Sequence, residues 1–135
     1  MPVSQDILVS IRSDVDIVVA RQKGRAMAAD IGFSATDATL IATAISELAR
    51  NILMYAQTGE VMTRRVETAQ SKGILIVAHD NGPGIRSIPD VLRDGYSTSG
   101  GLGLGLPGVR RLMDEFTIES ELRRGTTVTV RKWLK

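Results

Sequence analysis

Ile74-Leu75-Ile76-Val77-Ala78-His79-Asp80-Asn81-Gly82-Pro83-Gly84-Ile85 is the stretch on which the fold turns. An apolar run ends in a carboxylate, and the glycines that follow turn the backbone away at once because they tolerate positive φ. Further on, Gly101-Leu102-Gly103-Leu104-Gly105-Leu106 runs into a helical pattern, an arrangement that aims free N–H groups at an anion. The two stretches read as the floor and the rim of a nucleotide pocket.

Outward from this centre, residues 60–68 and 73–80 form two strands joined by Ala69-Gln70-Ser71-Lys72-Gly73, a hairpin by proximity and turn content. Upstream, Ile41, Ile45, Leu48, Ile52 and Tyr55 recur at helical spacing behind the capping signal Ser34-Ala35-Thr36-Asp37. That helix is expected to run to about Gln57, with Thr58-Gly59 closing it. An earlier helix starts at the capping box Ser13-Asp14-Val15-Asp16 and ends at Gly32, against the β-branched run Ile17-Val18-Val19. Alternating Ile7, Val9 and Ile11 mark a strand before it. Downstream, Val109, Leu112, Met113 and Phe116 set one face of a helix that tolerates Pro107 in its first turn. Two strands, 117–122 and 126–134, follow around Arg123-Arg124-Gly125. The polar, glycine-rich span 86–104 reads as a lid, with a solvated loop as the alternative. The order β-α-α-β-β-lid-α-β-β predicts one domain over residues 1–135: a two-layer α/β sandwich with a mixed, mainly antiparallel sheet and helices on one face.

Composition narrows the function classes. Seventeen basic residues against fifteen acidic ones leave a net charge of +2, too little to imply nucleic acid. The absence of cysteine excludes a disulfide framework and a thiolate metal site, and fits a reducing compartment. No stretch approaches the ~18 apolar residues that span a bilayer, so a cytoplasmic protein without membrane contact is expected.

Within the glycine ladder, Gly103-Leu104-Gly105-Leu106-Pro107-Gly108 formally matches G-x-G-x-x-G, but it follows Ser97-Thr98-Ser99-Gly100 where a dinucleotide fold needs a strand. No P-loop signature is present. A lid hinge offering backbone amides to phosphates remains, beside the plainer reading of a close-packed glycine turn. Asp80, on the side of its strand shared with Ile74, Ile76 and Ala78, either meets the exocyclic amine of a purine or caps the turn at Asn81-Gly82. His79 points the other way and, without a second histidine or cysteine, reads as an ordinary strand residue. Glu47 and Asn51 lie one helical turn apart, flanking the apolar stripe. Asn51 offers a neutral oxygen to Mg²⁺ and Glu47 a proton acceptor, unless both are simply solvated beside Arg50. Thr126 shares a face with Val128 and Val130, and either helps read a base through water or is merely a good strand former.

Glu47-Leu-Ala-Arg-Asn51, Asp80-Asn-Gly-Pro-Gly-Ile85, Gly101-Leu-Gly-Leu-Gly-Leu106 and Gly125-Thr126 resemble, in order, the N, G1, G2 and G3 boxes of the GHKL (Bergerat-fold) ATPase/kinase superfamily. The short chain and the lack of histidine in residues 1–46 fit its stand-alone serine kinases. The runs 45–52 and 95–109 look most similar to the RsbT-type switch kinases of stressosomes. The resemblance implies ATP and Mg²⁺ as cofactors, with Asn51 on the metal and Glu47 as catalytic base. It implies Asp80 on the adenine amino group, with Gly82, Gly84 and Ile85 lining the base and Thr126 nearby. Gly101, Leu102, Gly103, Leu104, Gly105 and Leu106 would approach the phosphates. It also implies transfer to serine or threonine of STAS-domain proteins of the RsbS and RsbR types, and activation of a PP2C-type phosphatase by direct binding. Alternatives within the same fold are an ATP hydrolase and an anti-sigma-factor-like binding module. The cation beside the phosphates stays open among Arg50, Arg86 and Arg93.

Overall fold

A computed structural model describes residues 6–84 and 105–135. Its elements are β1 (Ile7–Ile11), α1 (Asp14–Ile31), α2 (Ala35–Tyr55), β2 (Gly59–Glu67), β3 (Lys72–Asp80), α3 (Gly105–Leu112), β4 (Glu115–Glu121) and β5 (Gly125–Trp133). The expected lid, with its short helix, and Ile85, Gly101, Leu102, Gly103 and Leu104 lie outside the described residues.

Local signals set most boundaries. The Asp16 carboxylate accepts from the N–H groups of Arg12 and Ser13 at 2.8 and 3.1 Å, so α1 starts where expected. The other half of the cap is a backbone bond, Asp16 N–H to the Ser13 carbonyl at 3.0 Å. Ser34 Oγ caps α2 by accepting from Asp37 N–H at 3.1 Å. This helix stops at Tyr55, two residues short of expectation, because Gln57 takes a positive φ of 70° and Gly59 already belongs to β2.

The strands run in the order β1-β2-β3-β5-β4, and every neighbouring pair is antiparallel. The sheet expected to be mixed is thus antiparallel throughout the described residues. One face is apolar: Val9, Ile11, Val61, Ile74, Ile76, Ala78, Val128 and Val130 pack with Ile41, Ile45, Leu48 and Ile52 of α2 and with Ile17 and Ala28 of α1. At roughly 1.5–3 kcal/mol for each large aliphatic side chain, this burial outweighs the tenths lost to β-branched residues in α1.

One assignment needs correction. Phe116 is not on the third helix but in β4, paired with Val130. Asp114 N–H donates to the Arg131 carbonyl at 2.9 Å, and the Asp114 carboxylate accepts Trp133 N–H at 2.7 Å, so β5 captures the chain directly after Met113. Phe116 fits a helical spacing from Met113 and an alternating one to Ile118 equally well, and the ladder decided between them.

Candidate functional site

At one end of the sheet the register places Asp80 opposite Thr126, and Thr126 opposite Ser120. This polar row continues the helix-covered face just beyond Ala78, Val128 and Ile118. Asp80 Oδ1 accepts from Gly82 N–H at 2.9 Å, so the turn cap expected as the plainer reading is present. It occupies a single oxygen, and Oδ2 has no hydrogen-bond partner among the described residues. Ser120 Oγ donates to the Gly125 carbonyl at 3.1 Å and meets Thr126 Oγ1 at 2.9 Å. Either hydroxyl can donate in the bond between them, and in both arrangements Thr126 Oγ1 keeps a lone pair for another donor. Asp80 and Thr126 therefore present acceptors side by side.

Two glycines make the turn after Asp80 possible. A Cβ on Gly82 would stand 2.5 Å from the Ala56 Cβ at the end of α2, closer than any side chain tolerates. Gly84 has a φ of 82° and backs onto the Glu121 carbonyl. Arg123 N–H donates to the Pro83 carbonyl at 2.7 Å, which ties this turn to the β4–β5 turn.

α2 supplies the second half. Glu47 is 7% exposed, so the alternative of a solvated helix pair does not hold for it. Its Oε1 accepts from Gly105 N–H at 3.0 Å, and its Oε2 pairs with Arg50 Nη1. Gly105 closes the glycine ladder and opens α3 at a φ of 64°, while Leu106 is buried against α2 in the core. Asn51, one turn beyond Glu47, is half-buried, and its amide has no hydrogen-bond partner among the described residues. A neutral oxygen of this kind suits a hard cation that takes its remaining ligands from phosphates and water.

Strand and helix halves meet at Ile52 and Ala56. A Cβ on Gly59 would come within 2.7 Å of Ile52 and 3.1 Å of the Asp80 Cβ, so the C-terminal turn of α2 lies directly over the Asp80 turn. A cleft of about 490 Å³, lined in part by Arg12, Glu60, His79 and Asn81, touches Asp80 from elsewhere and reaches neither Glu47, Asn51 nor Thr126. His79 shares a hydrogen bond of 2.8 Å with Thr127 Oγ1 across the strands. The two displaced titrations among the described residues form one remote pair: the hydrogen bond from the Arg64 guanidinium holds the Asp6 carboxyl below the ordinary range, and the same bond raises Arg64.

Sequence reasoning left Ser120 unnamed and left Arg50 among three arginines. The hairpin register around Arg123-Arg124-Gly125 would have found Ser120 opposite Thr126, and the spacing of three between Glu47 and Arg50 announced their pairing.

The chain is similar to known proteins over most of its length. The family described as histidine kinase-, DNA gyrase B- and HSP90-like ATPase matches residues 36–135. The serine/threonine-protein kinase RsbT of Bacillus subtilis (strain 168) is 52% identical over 127 residues, which are 94% of this chain and 96% of that protein. An anti-sigma F factor of Clostridium botulinum (strain Eklund 17B / Type B) is 31% identical over 98 residues, 68% of each chain. Among solved structures, the mycobacterial sensor histidine kinase MprB shares the fold at a TM-score of 0.54 over 97% of both chains, with 14% identity. No helix of the described residues is long and apolar enough to cross a membrane. The family model over residues 36–135 and the 52% identical kinase make the chain a member of the histidine kinase-, DNA gyrase B- and HSP90-like (GHKL) ATPase family, in its serine/threonine-protein kinase branch.

Proposed function

We propose that residues 1–135 act as one cytoplasmic kinase domain that transfers the γ-phosphoryl group of ATP to a serine or threonine of a STAS-domain protein, within a stress-response partner-switching module. The observation that carries this reading is Glu47: a buried carboxylate, held at the first residue of α3 and one helical turn from the Asn51 amide, which has no hydrogen-bond partner among the described residues. The name of the 52% identical relative, a serine/threonine-protein kinase, supports a hydroxyl acceptor; the STAS-domain substrate and binding of a PP2C-type phosphatase belong to our reading.

In this mechanism Asp80 Oδ2 accepts the adenine amino group, and Thr126 offers its lone pairs beside it, through water, while Gly82, Gly84 and Ile85 border the base. The Gly105 amide and the ladder before it receive phosphate oxygens. Asn51 would hold Mg²⁺, which would supply neutralisation of phosphate charge when bound. The acceptor oxygen bonds to the γ-phosphorus, the bond from phosphorus to the β,γ-bridging oxygen breaks, ADP leaves with that electron pair, and the hydroxyl proton passes to Glu47. Positioning and charge stabilisation carry most of such a transfer.

The anti-sigma F factor relative favours a second reading, a binding module in which nucleotide only stabilises the fold. Incubation with γ-labelled ATP and candidate STAS proteins separates the two. Acid-stable label on the partner supports the kinase; partner capture that is indifferent to Asp80→Asn, with no label transferred, supports the module. Release of labelled phosphate alone indicates a hydrolase.

A further inference from the structure

Glu47 has two partners of different kinds. Oε1 takes a neutral amide, Gly105 N–H at 3.0 Å, and Oε2 takes the guanidinium of Arg50. The carboxylate side chain is 8% exposed and the Arg50 side chain 39%, so the arginine spans from the buried acid to the surface. Resting on the reading of Glu47 as base, we propose that Arg50 is a positioning residue: it keeps Glu47 oriented when the Gly105 amide is given up to a phosphate oxygen.

Gly105 N–H stands at the end of the glycine ladder and at the start of α3, where a phosphate competes with a carboxylate for the same donor. A nucleotide that takes this amide releases Oε1, the oxygen that then receives the proton of the acceptor hydroxyl. Without a second holder, the released side chain would have three torsions free, and a displacement of 1 Å at a reacting group costs about a hundredfold. Arg50 follows Glu47 by three residues on the same helix, the acid-first order that favours such a pair, and its bond to Oε2 does not involve the ladder. The arginine is thereby committed to the base rather than to the phosphates, which removes it from the three arginines left open by the sequence; Arg86 and Arg93 lie outside the described residues.

The test combines ATP affinity, measured by titration calorimetry, with the single-turnover rate of transfer to a STAS partner. Arg50→Ala is expected to lower the rate roughly ten- to a hundredfold while ATP affinity stays within about twofold. Arg50→Lys, which restores a cation on a different stem, is expected to recover part of the rate. In a Glu47→Gln background the same Arg50→Ala change is expected to alter the residual rate by less than about twofold, because the group it positions is gone. Arg50→Gln replaces the alanine variant if thermal melting shows the latter unfolded. An equal loss in both backgrounds, or a fall in ATP affinity matching the fall in rate, makes Arg50 a phosphate ligand and overturns the proposal; so does an unchanged rate. A Glu47→Gln enzyme with full transfer instead refutes the base assignment itself, whatever Arg50 does.

Discussion

The strand end and the helix face are built on different physics. At the strand end, Asp80, Thr126 and Ser120 are aligned by backbone register; the hydroxyls of Ser120 and Thr126 share a neutral bond, and the Asp80 carboxylate caps its own turn at Gly82. On the helix face, Glu47, Arg50 and Asn51 are aligned by the 3.6-residue turn, and the contacts that matter carry charge. A rigid ladder suits recognition of a flat base, because its acceptors cannot drift. A charged pair over a neutral amide suits chemistry, because one of its bonds can be exchanged. Binding and transfer should therefore be separable by mutation.

The largest expected effect tests the helix face. Glu47→Gln keeps the shape and its place beside Gly105 but loses the proton acceptor, so transfer should fall on the order of 10²–10⁴-fold with ATP affinity nearly unchanged, as read by single-turnover labelling and calorimetry. Asp80→Asn tests the strand end. The asparagine oxygen can still accept from Gly82 N–H and keep the turn, so the loss is confined to the second acceptor, now an amide donor facing an amine. A weakening of ATP binding of roughly 10- to 100-fold is expected in calorimetry, corresponding to about 1–3 kcal/mol for a mispaired buried group. If each variant damages both binding and transfer equally, the division of labour is wrong.

Gly82→Ala strikes where the two regions touch. Its Cβ would overlap Ala56, so either the Asp80 turn or the end of α2 must shift. Destabilisation of about 1–3 kcal/mol is expected in denaturant titration, together with weaker ATP binding. The smallest effect lies outside the comparison, at Asp6 and Arg64, joined by hydrogen bonds of 2.8 and 2.6 Å. Because the folded Asp6 carboxyl is lowered, its contribution is present above the unfolded value near 3.9 and is lost as pH falls through the folded value. Arg64→Ala should remove that slope from Tm measured between pH 5 and 2, and salt should mask the difference, since the pair is exposed.

Much of the fold was legible because the signals were local. Ser34 before Asp37, the apolar stripe Ile41-Ile45-Leu48-Ile52 and the Gly-rich turn after Asp80 each describe a few consecutive residues, and the element they predict needs little help from elsewhere. Phe116 shows the limit: two periodicities fit it, and only the ladder to Val130 settles which applies. The site follows the same division. Residue types and spacing marked Glu47, Asn51, Asp80 and Thr126 only as candidates beside plainer readings, and the resemblance of four ordered stretches to the family's boxes gave them their expected roles.

What tertiary structure alone decided is who meets whom. Asp80 faces Thr126 because β3 pairs with β5 in one register, and Ser120 joins them because the β4–β5 hairpin is aligned across Gly125. Glu47 reaches Gly105, 58 positions away, because burial of Leu106 and Val109 brings the start of α3 against α2. The sequence by itself determined the groups and their local geometry, since capping and helical or strand periodicity act over a few residues. Contacts between distant segments depend on which apolar faces pack and in what register, and those are properties of the whole core.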